Sequence, residues 1–146
     1  MRNFRIYSIP HTGTRFVRAF FQYQGFAPEY VHAGSAITDD LLLVIPKRSP
    51  LDCYYSHASE PGFDLGRFVG WWHELIFRSQ QENAFAFPIA QKSEAVELAV
   101  CEFVDIPHLP GFDWQPVGAT NGSKNPKDYP DVSIAMRFAM NWYGNQ

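Results

Sequence analysis

Phe4-Arg5-Ile6-Tyr7-Ser8-Ile9-Pro10-His11-Thr12-Gly13-Thr14-Arg15-Phe16-Val17 contains one change of period, and the reading of the fold starts from it. From Phe4 to Ile9 apolar and polar side chains alternate among β-formers, the two-residue period of a strand. Pro10 ends that run, because proline brings no backbone N–H to a ladder. From Thr14 the spacing lengthens. Phe16, Val17, Phe20 and Phe21 share one side of a helix, Arg15, Arg18 and Gln22 form a polar stripe, and Gly25 stands where a C-terminal glycine belongs. A strand that turns directly into a helix leaves the first helical N–H groups unpaired at its positive end, a ready place for an anion. His11-Thr12-Gly13-Thr14 is therefore a candidate cradle for a phosphate or sulfate group. Taken alone it is equally well a plain connecting turn. It lacks the Gly-Lys-Ser/Thr ending of a Walker loop, which argues against an ordinary ATPase or GTPase.

Outward from this stretch the pattern repeats. Pro28 to Ala33 is a short candidate strand. Leu41 to Ile45 is a continuous apolar run bounded by Pro46, the kind of strand that is covered on both faces in a parallel sheet. Lys47 to Ser56 reads as a turn and the start of a helix. Asp64 caps a helix whose apolar positions are Leu65, Phe68, Val69, Trp72, Leu75 and Ile76. Ala84 to Ile89 is a further strand if Pro88 lies at its end or at a sheet edge. Ser93 caps a helix through about Val104 with Val96, Ala99, Val100 and Phe103 inward. Residues 107–125 read as an irregular loop rich in Pro, Gly and Asn. Asp131 to Tyr143 reads as a closing helix with Val132, Ala135, Met136, Ala139, Met140 and Tyr143 on its inner side. The alternation predicts an α/β fold, a three-layer sandwich with a mainly parallel sheet, formed by residues 1–146 as a single domain.

Composition narrows the functional classes. With 46% hydrophobic and 18% charged residues in 146, the chain has the material for a sizeable core. Its 13 Phe and 4 Trp suggest a thick aromatic core or a ring-lined cleft, and exposed aromatics would permit a homodimer. A net charge of −3 argues against a general nucleic-acid binder and suits a local basic site for a small anion. Two cysteines, Cys53 and Cys101, offer neither a disulfide framework nor a metal spacing, so a reduced cytoplasmic setting is the simplest expectation. No signal peptide or membrane span is visible.

A second stretch, Arg48-Ser49-Pro50-Leu51-Asp52-Cys53-Tyr54-Tyr55-Ser56, follows the apolar strand directly. Arg48 leaves the sheet at the carboxyl end of that strand, the side on which open α/β sheets bind ligands. Its guanidinium is a planar fork for phosphate oxygens, and Ser56 can add a hydroxyl. On its own this stretch reads more simply as a surface arginine and a helix-capping serine.

Together the two stretches resemble the paired signatures of sulfotransferases that use 3′-phosphoadenosine 5′-phosphosulfate (PAPS). The family's 5′-phosphosulfate loop, Pro-Lys-Ser-Gly-Thr-Thr, stands here as Pro10-His11-Thr12-Gly13-Thr14-Arg15, with His11 in place of lysine. Its 3′-phosphate signature, Arg-x-Pro-x-Asp-x-x-x-Ser, is matched by Arg48, Pro50, Asp52 and Ser56. Phe68 to His73, the Ala84 strand and the Ser93 helix look like later elements of the family. The chain is shorter than usual, as if acceptor-binding insertions were trimmed.

The resemblance implies a P-loop-like sulfotransferase fold and transfer of a sulfuryl group from PAPS to a hydroxyl or amine of a small-molecule or glycan acceptor, without a metal. It assigns the 5′-phosphosulfate to Thr12, Gly13, Thr14 and Arg15, and the 3′-phosphate to Arg48 and Ser56. Many members place a catalytic base between the two signatures at a strand end, where His32 stands. His11 would meet the developing charge in place of lysine, with Arg15 or Arg18 supplying fixed charge. His108 follows the second signature and reads as a loop residue. Lys124 or Asn121 could substitute for a late basic loop, and Trp71, Trp72 and Trp114 are candidate stackers. A non-catalytic binder of the same nucleotide and a small-molecule phosphotransferase of the P-loop group stay open as alternatives.

Overall fold

Alternation decides the layers. The computed structural model describes residues 3–38, 40–115 and 130–144. Strand β1 (Phe4–Ser8) sends Phe4 and Ile6 to one face and Tyr7 to the other. Strand β3 (Leu42–Lys47) sends Leu42 and Val44 to the first face and Leu43 and Ile45 to the second, with every residue buried. Both faces must therefore be covered. Helices α1 (Thr14–Tyr23) and α4 (Glu94–Val104) cover the first, through Phe16, Val17, Phe20 and Phe21 and through Val100, Cys101 and Val104. Helices α2 (Pro50–His57), α3 (Leu65–Ser79) and α5 (Arg137–Gly144) cover the second, where Tyr54, Phe68, Trp72, Leu75 and Ala139 pack.

Among the described residues the sheet has the order β2-β1-β3-β4, with β2 (Tyr30–His32) and β4 (Ala84–Pro88) at its edges and every pairing parallel. From β1 the chain passes through α1 to β2 on one side. From β3 it passes through α2 and α3 to β4 on the other. Right-handed crossovers running in opposite directions must lie on opposite faces, so the carboxyl ends of β1 and β3 flank a topological switch point. The turn after β1 and the turn after β3 meet there.

Three elements differ from the sequence expectation, each for a local reason. Strand β3 continues through Pro46 to Lys47 instead of stopping. Leu42 N–H goes to Asn3 O on the β1 side and Leu43 N–H to Asn83 O on the β4 side, so Pro46 faces β1 where its ladder has ended at Ile6. No donor is lost there. The closing helix begins at Arg137, not Asp131. The Asp131 carboxylate accepts from Ser133 N–H (2.9 Å) and Ser133 Oγ (2.6 Å), a local bond that competes with helix. Val132, Met136 and Ala139 are buried as expected, whereas Ala135 is exposed.

In α4, Ala99 faces solvent and Glu97 is 3% exposed in its stead. Its carboxylate accepts from His108 Nε2 (2.8 Å) and from the indole Nε1 of Trp114 (2.6 Å). Trp114 in turn packs on Phe16 and Phe87, so one acid pins residues 105–115 across α1 and α4. His108, expected as a loop residue, and Trp114 are thus both tied to α4 through one buried acid. Glu97→Ala is expected to cost about 1–3 kcal/mol in urea unfolding, because it strands two part-buried donors. Glu97→Gln, which keeps an acceptor, is expected to cost less.

Candidate functional site

The turn at the switch point is held in a strained shape by its neighbours. His11 adopts a left-handed backbone (φ 71°), unusual for a residue with a side chain and costing about 1–3 kcal/mol. Four contacts hold it. Arg48 Nη1 donates to the His11 carbonyl (2.6 Å), and the Cys53 thiol lies 3.3 Å from the same oxygen. The ring is gripped at both nitrogens, Nδ1 at 2.9 Å from Ser56 Oγ and Nε2 at 2.6 Å from Glu60 Oε1. An ionised carboxylate only accepts, so Nε2 carries hydrogen. Nδ1 then accepts from the Ser56 hydroxyl in the neutral ring and donates to it in the imidazolium.

The rest of the turn divides into inward and outward parts. Thr12, expected among the phosphate contacts, is fully buried and sends both its hydroxyl (2.6 Å) and its N–H (3.2 Å) to Ile9 O. It shapes the turn instead. Gly13 is the N-cap of α1 with φ 105°, and no side chain among the described residues caps this helix. Its first N–H groups are left for an anion. Thr14 Oγ1 is 2.6 Å from Ser8 Oγ, a link that ties the helix start to the end of β1. Arg15 is exposed on the first turn.

The structure brings His11, Arg48 and Ser56 into direct contact although 37 and 45 positions separate the last two from the first. His32 ends β2, in register with Ser8 on β1. Its Nδ1 is 2.7 Å from Ala33 O, and a carbonyl only accepts. The proton of the neutral ring therefore sits on Nδ1 and leaves Nε2 a basic lone pair. The His32 ring stands edge-on to Trp71 (centroids 4.5 Å), Trp71 stacks with His57 (5.8 Å), and His57 lies against His11 (5.2 Å). A row of rings thus links the two histidines singled out in the sequence.

Glu60 and His57 are the members of this site that sequence reasoning missed. Glu60 sits in a Glu-Pro-Gly turn that reads only as a loop, and His57 follows Ser56 inside α2. The two meet each other locally (His57 Nε2 to Glu60 Oε2, 3.9 Å), but their contact with His11 joins residues 46 and 49 positions apart and leaves no local signal. Lys124 and Asn121 lie outside the described residues.

Cys53 touches the site without reactivity of its own. Burial pushes its thiol up to about 12, and that of Cys101 up to about 11. Both are expected to stay silent toward a disulfide reagent in the native protein and to react together once it is unfolded. Reaction of either in the folded protein at the rate of a free thiol would contradict this packing.

The comparisons with known proteins add no relative. No protein-family model matches the chain, and neither a curated protein nor a solved structure resembles it significantly. Among the described residues no helix is long and apolar enough to cross a membrane, and no cluster of His, Cys, Asp and Glu has the makings of a metal site.

Proposed function

We propose that this protein is a PAPS-dependent sulfotransferase of the P-loop-like α/β type, acting on a hydroxyl acceptor. One observation carries the reading. The two stretches that resemble the family's phosphate signatures, far apart in sequence, converge on His11 at the switch point through Arg48 and Ser56. The uncapped start of α1 supplies N–H donors and a positive dipole end for the 5′-phosphosulfate, at Gly13, Thr14 and Arg15. Arg48, held at the end of β3, supplies a fork for the 3′-phosphate, with Ser56 beside it.

Sulfuryl transfer asks a protein for alignment and for charge stabilisation. His32 Nε2 is the group to take the proton from the acceptor oxygen as that oxygen bonds to sulfur. The bond from sulfur to the 5′-phosphate oxygen breaks, and the electron pair leaves with the nucleotide. The N–H groups of α1 meet the charge that develops there, and the His11 ring, engaged at both nitrogens, adds to them only the charge of its protonated form. Glu60 keeps the His11 ring oriented, which a flexible lysine would not require.

Calorimetric titration with the desulfated nucleotide, 3′-phosphoadenosine 5′-phosphate, tests the reading. Binding of that nucleotide in preference to ATP is expected, and preference for ATP would favour a phosphotransferase. His32→Ala is expected to lower kcat roughly 10²–10⁴-fold with nucleotide affinity unchanged. One observation favours a second reading, a binder without turnover: the Glu60 carboxylate sits on His11 and offsets the charge a lysine would contribute. Turnover of PAPS against an acceptor panel separates the two.

A further inference from the structure

The His11 ring decides what the Ser56 hydroxyl can do. Ser56 Oγ carries one hydrogen and lies 2.9 Å from His11 Nδ1. Glu60 Oε1, at 2.6 Å, holds the other ring nitrogen as an N–H. With the ring neutral, Nδ1 is a lone pair and the serine hydrogen is committed to it. Ser56 then turns only oxygen lone pairs to a ligand, and an anionic oxygen asks for a donor. With the ring protonated the bond reverses. Nδ1–H donates to Ser56 Oγ, and the serine hydrogen can turn to a phosphate. We propose that binding of a tetrahedral oxyanion, phosphate or sulfate, at Ser56 is coupled to uptake of one proton by His11. The proposal rests on the reading of Ser56 as a phosphate contact, though the coupling itself needs only an oxyanion beside that hydroxyl.

The surrounding charges set the direction. Glu60 favours the imidazolium, but it is shared. His57, on α2, has its ring 5.2 Å from that of His11 and its Nε2 3.9 Å from Glu60 Oε2. Arg48, at the end of β3, opposes a second cation, with Nη1 2.6 Å from the His11 carbonyl, where the Cys53 thiol also lies at 3.3 Å. From the start of α3, Asp64 and Arg67 line one cleft with His57 and Glu60 and carry opposite charges. On the first turn of α1, Arg15 adds a further cation.

Among these groups a single carboxylate meets both imidazoles, with a guanidinium beside them. An incoming dianion brings the negative charge that a protonated His11 needs, and so draws the proton on with it. That proton comes from solvent, and no covalent bond other than N–H is made. Ser56 is 6% exposed, so water offers little alternative to either partner of the bond that reverses. Histidine is the side chain that can answer in this way near neutral pH, whereas a lysine at position 11 would stay charged throughout. Since a proton is taken up on binding, affinity rises as pH falls through the histidine range.

The ¹⁵N signals of the His11 imidazole in the full-length protein read the state of Nδ1, and their loss in His11→Gln assigns them. Inorganic sulfate is the probe, because its own charge does not change across the histidine range. At about pH 7.5 its addition is expected to move the Nδ1 signal from the position of a bare nitrogen to that of an N–H. Sulfate affinity is expected to rise about five-fold or more on going to about pH 6. Ser56→Ala keeps the helix and removes the hydroxyl. It is expected to weaken sulfate binding about ten-fold at about pH 6, but less than about two-fold at about pH 8.5, where the ring holds the serine hydrogen. No sulfate binding, an unmoved Nδ1 signal at saturation, or the same Ser56→Ala loss at both pH values would each overturn the coupling. Titration with 3′-phosphoadenosine 5′-phosphate is separate. Protonation of His11 by sulfate without preference for that nucleotide over ATP removes the nucleotide reading and leaves the coupling standing. Preference for the nucleotide with an unmoved Nδ1 signal does the reverse.

Discussion

Gly13→Ala is expected to lower stability by about 2–4 kcal/mol and to remove nucleotide binding. Two separate costs add. The backbone at φ 105° lies where an L side chain is strained. A Cβ there would also meet Ile89 Cδ1 at 2.1 Å, and Ile89 is itself only 2% exposed, wedged in the core between the sheet, α1 and α4. Relief of the backbone cost requires the start of α1 to shift away from the end of β1, which moves the N–H groups that the proposed anion would meet, and relief of the clash requires that shift or a displaced Ile89 side chain. The double variant Gly13→Ala, Ile89→Val removes the clashing methyl and is expected to recover the steric share of the loss but not the backbone share. Urea unfolding measures both. Full recovery in the double variant would show that the left-handed backbone at Gly13 carries no cost.

Arg48→Ala is the second large effect. Its guanidinium, 9% exposed, anchors the strained His11 carbonyl at 2.6 Å and faces the proposed 3′-phosphate. A charged hydrogen bond to the turn is worth about 1.5–3 kcal/mol, and a forked contact to phosphate at least as much. Binding of 3′-phosphoadenosine 5′-phosphate is therefore expected to weaken about 100-fold or more, since about 2.8 kcal/mol corresponds to two decades. Arg48→Lys is expected to restore part of the stability and little of the affinity, because an ammonium cannot hold the turn and a phosphate in one plane. Undiminished nucleotide affinity in Arg48→Ala, with stability alone reduced, would make Arg48 a loop anchor and end the two-phosphate reading.

Much of this architecture was legible because its causes are local. The two-residue period of Phe4 to Ile9, the helical spacing from Thr14, the caps at Asp64 and Ser93 and the doubly covered run at Leu42 each follow from a few neighbouring residues. Ser49, which accepts from Asp52 N–H, and Pro50 at the first position of α2 mark that helix start in the same way. Differences arose where a side-chain hydrogen bond outweighs the periodic pattern. Ala99 reads as an inward position of α4, but Glu97 takes the buried place once His108 and Trp114 are brought to it. Thr12 reads as a phosphate contact until its donors turn inward to Ile9. Asp131 reads as helical until Ser133 bonds its side chain.

By itself, the sequence determined the strands, the helices and their order, and it placed His11, His32, Arg48 and Ser56 at element ends. Patterning is a property of neighbours along the chain, and burial of one face enforces it. Only the tertiary structure decided what His11 does. Its ring lies between Ser56 and Glu60, and its carbonyl under Arg48, because two crossovers on opposite faces of the sheet bring the ends of β1 and β3 together. Contacts 37 to 49 residues apart leave no local pattern, so the grip of Arg48, Ser56 and Glu60 on His11 could not be read before the chain was folded.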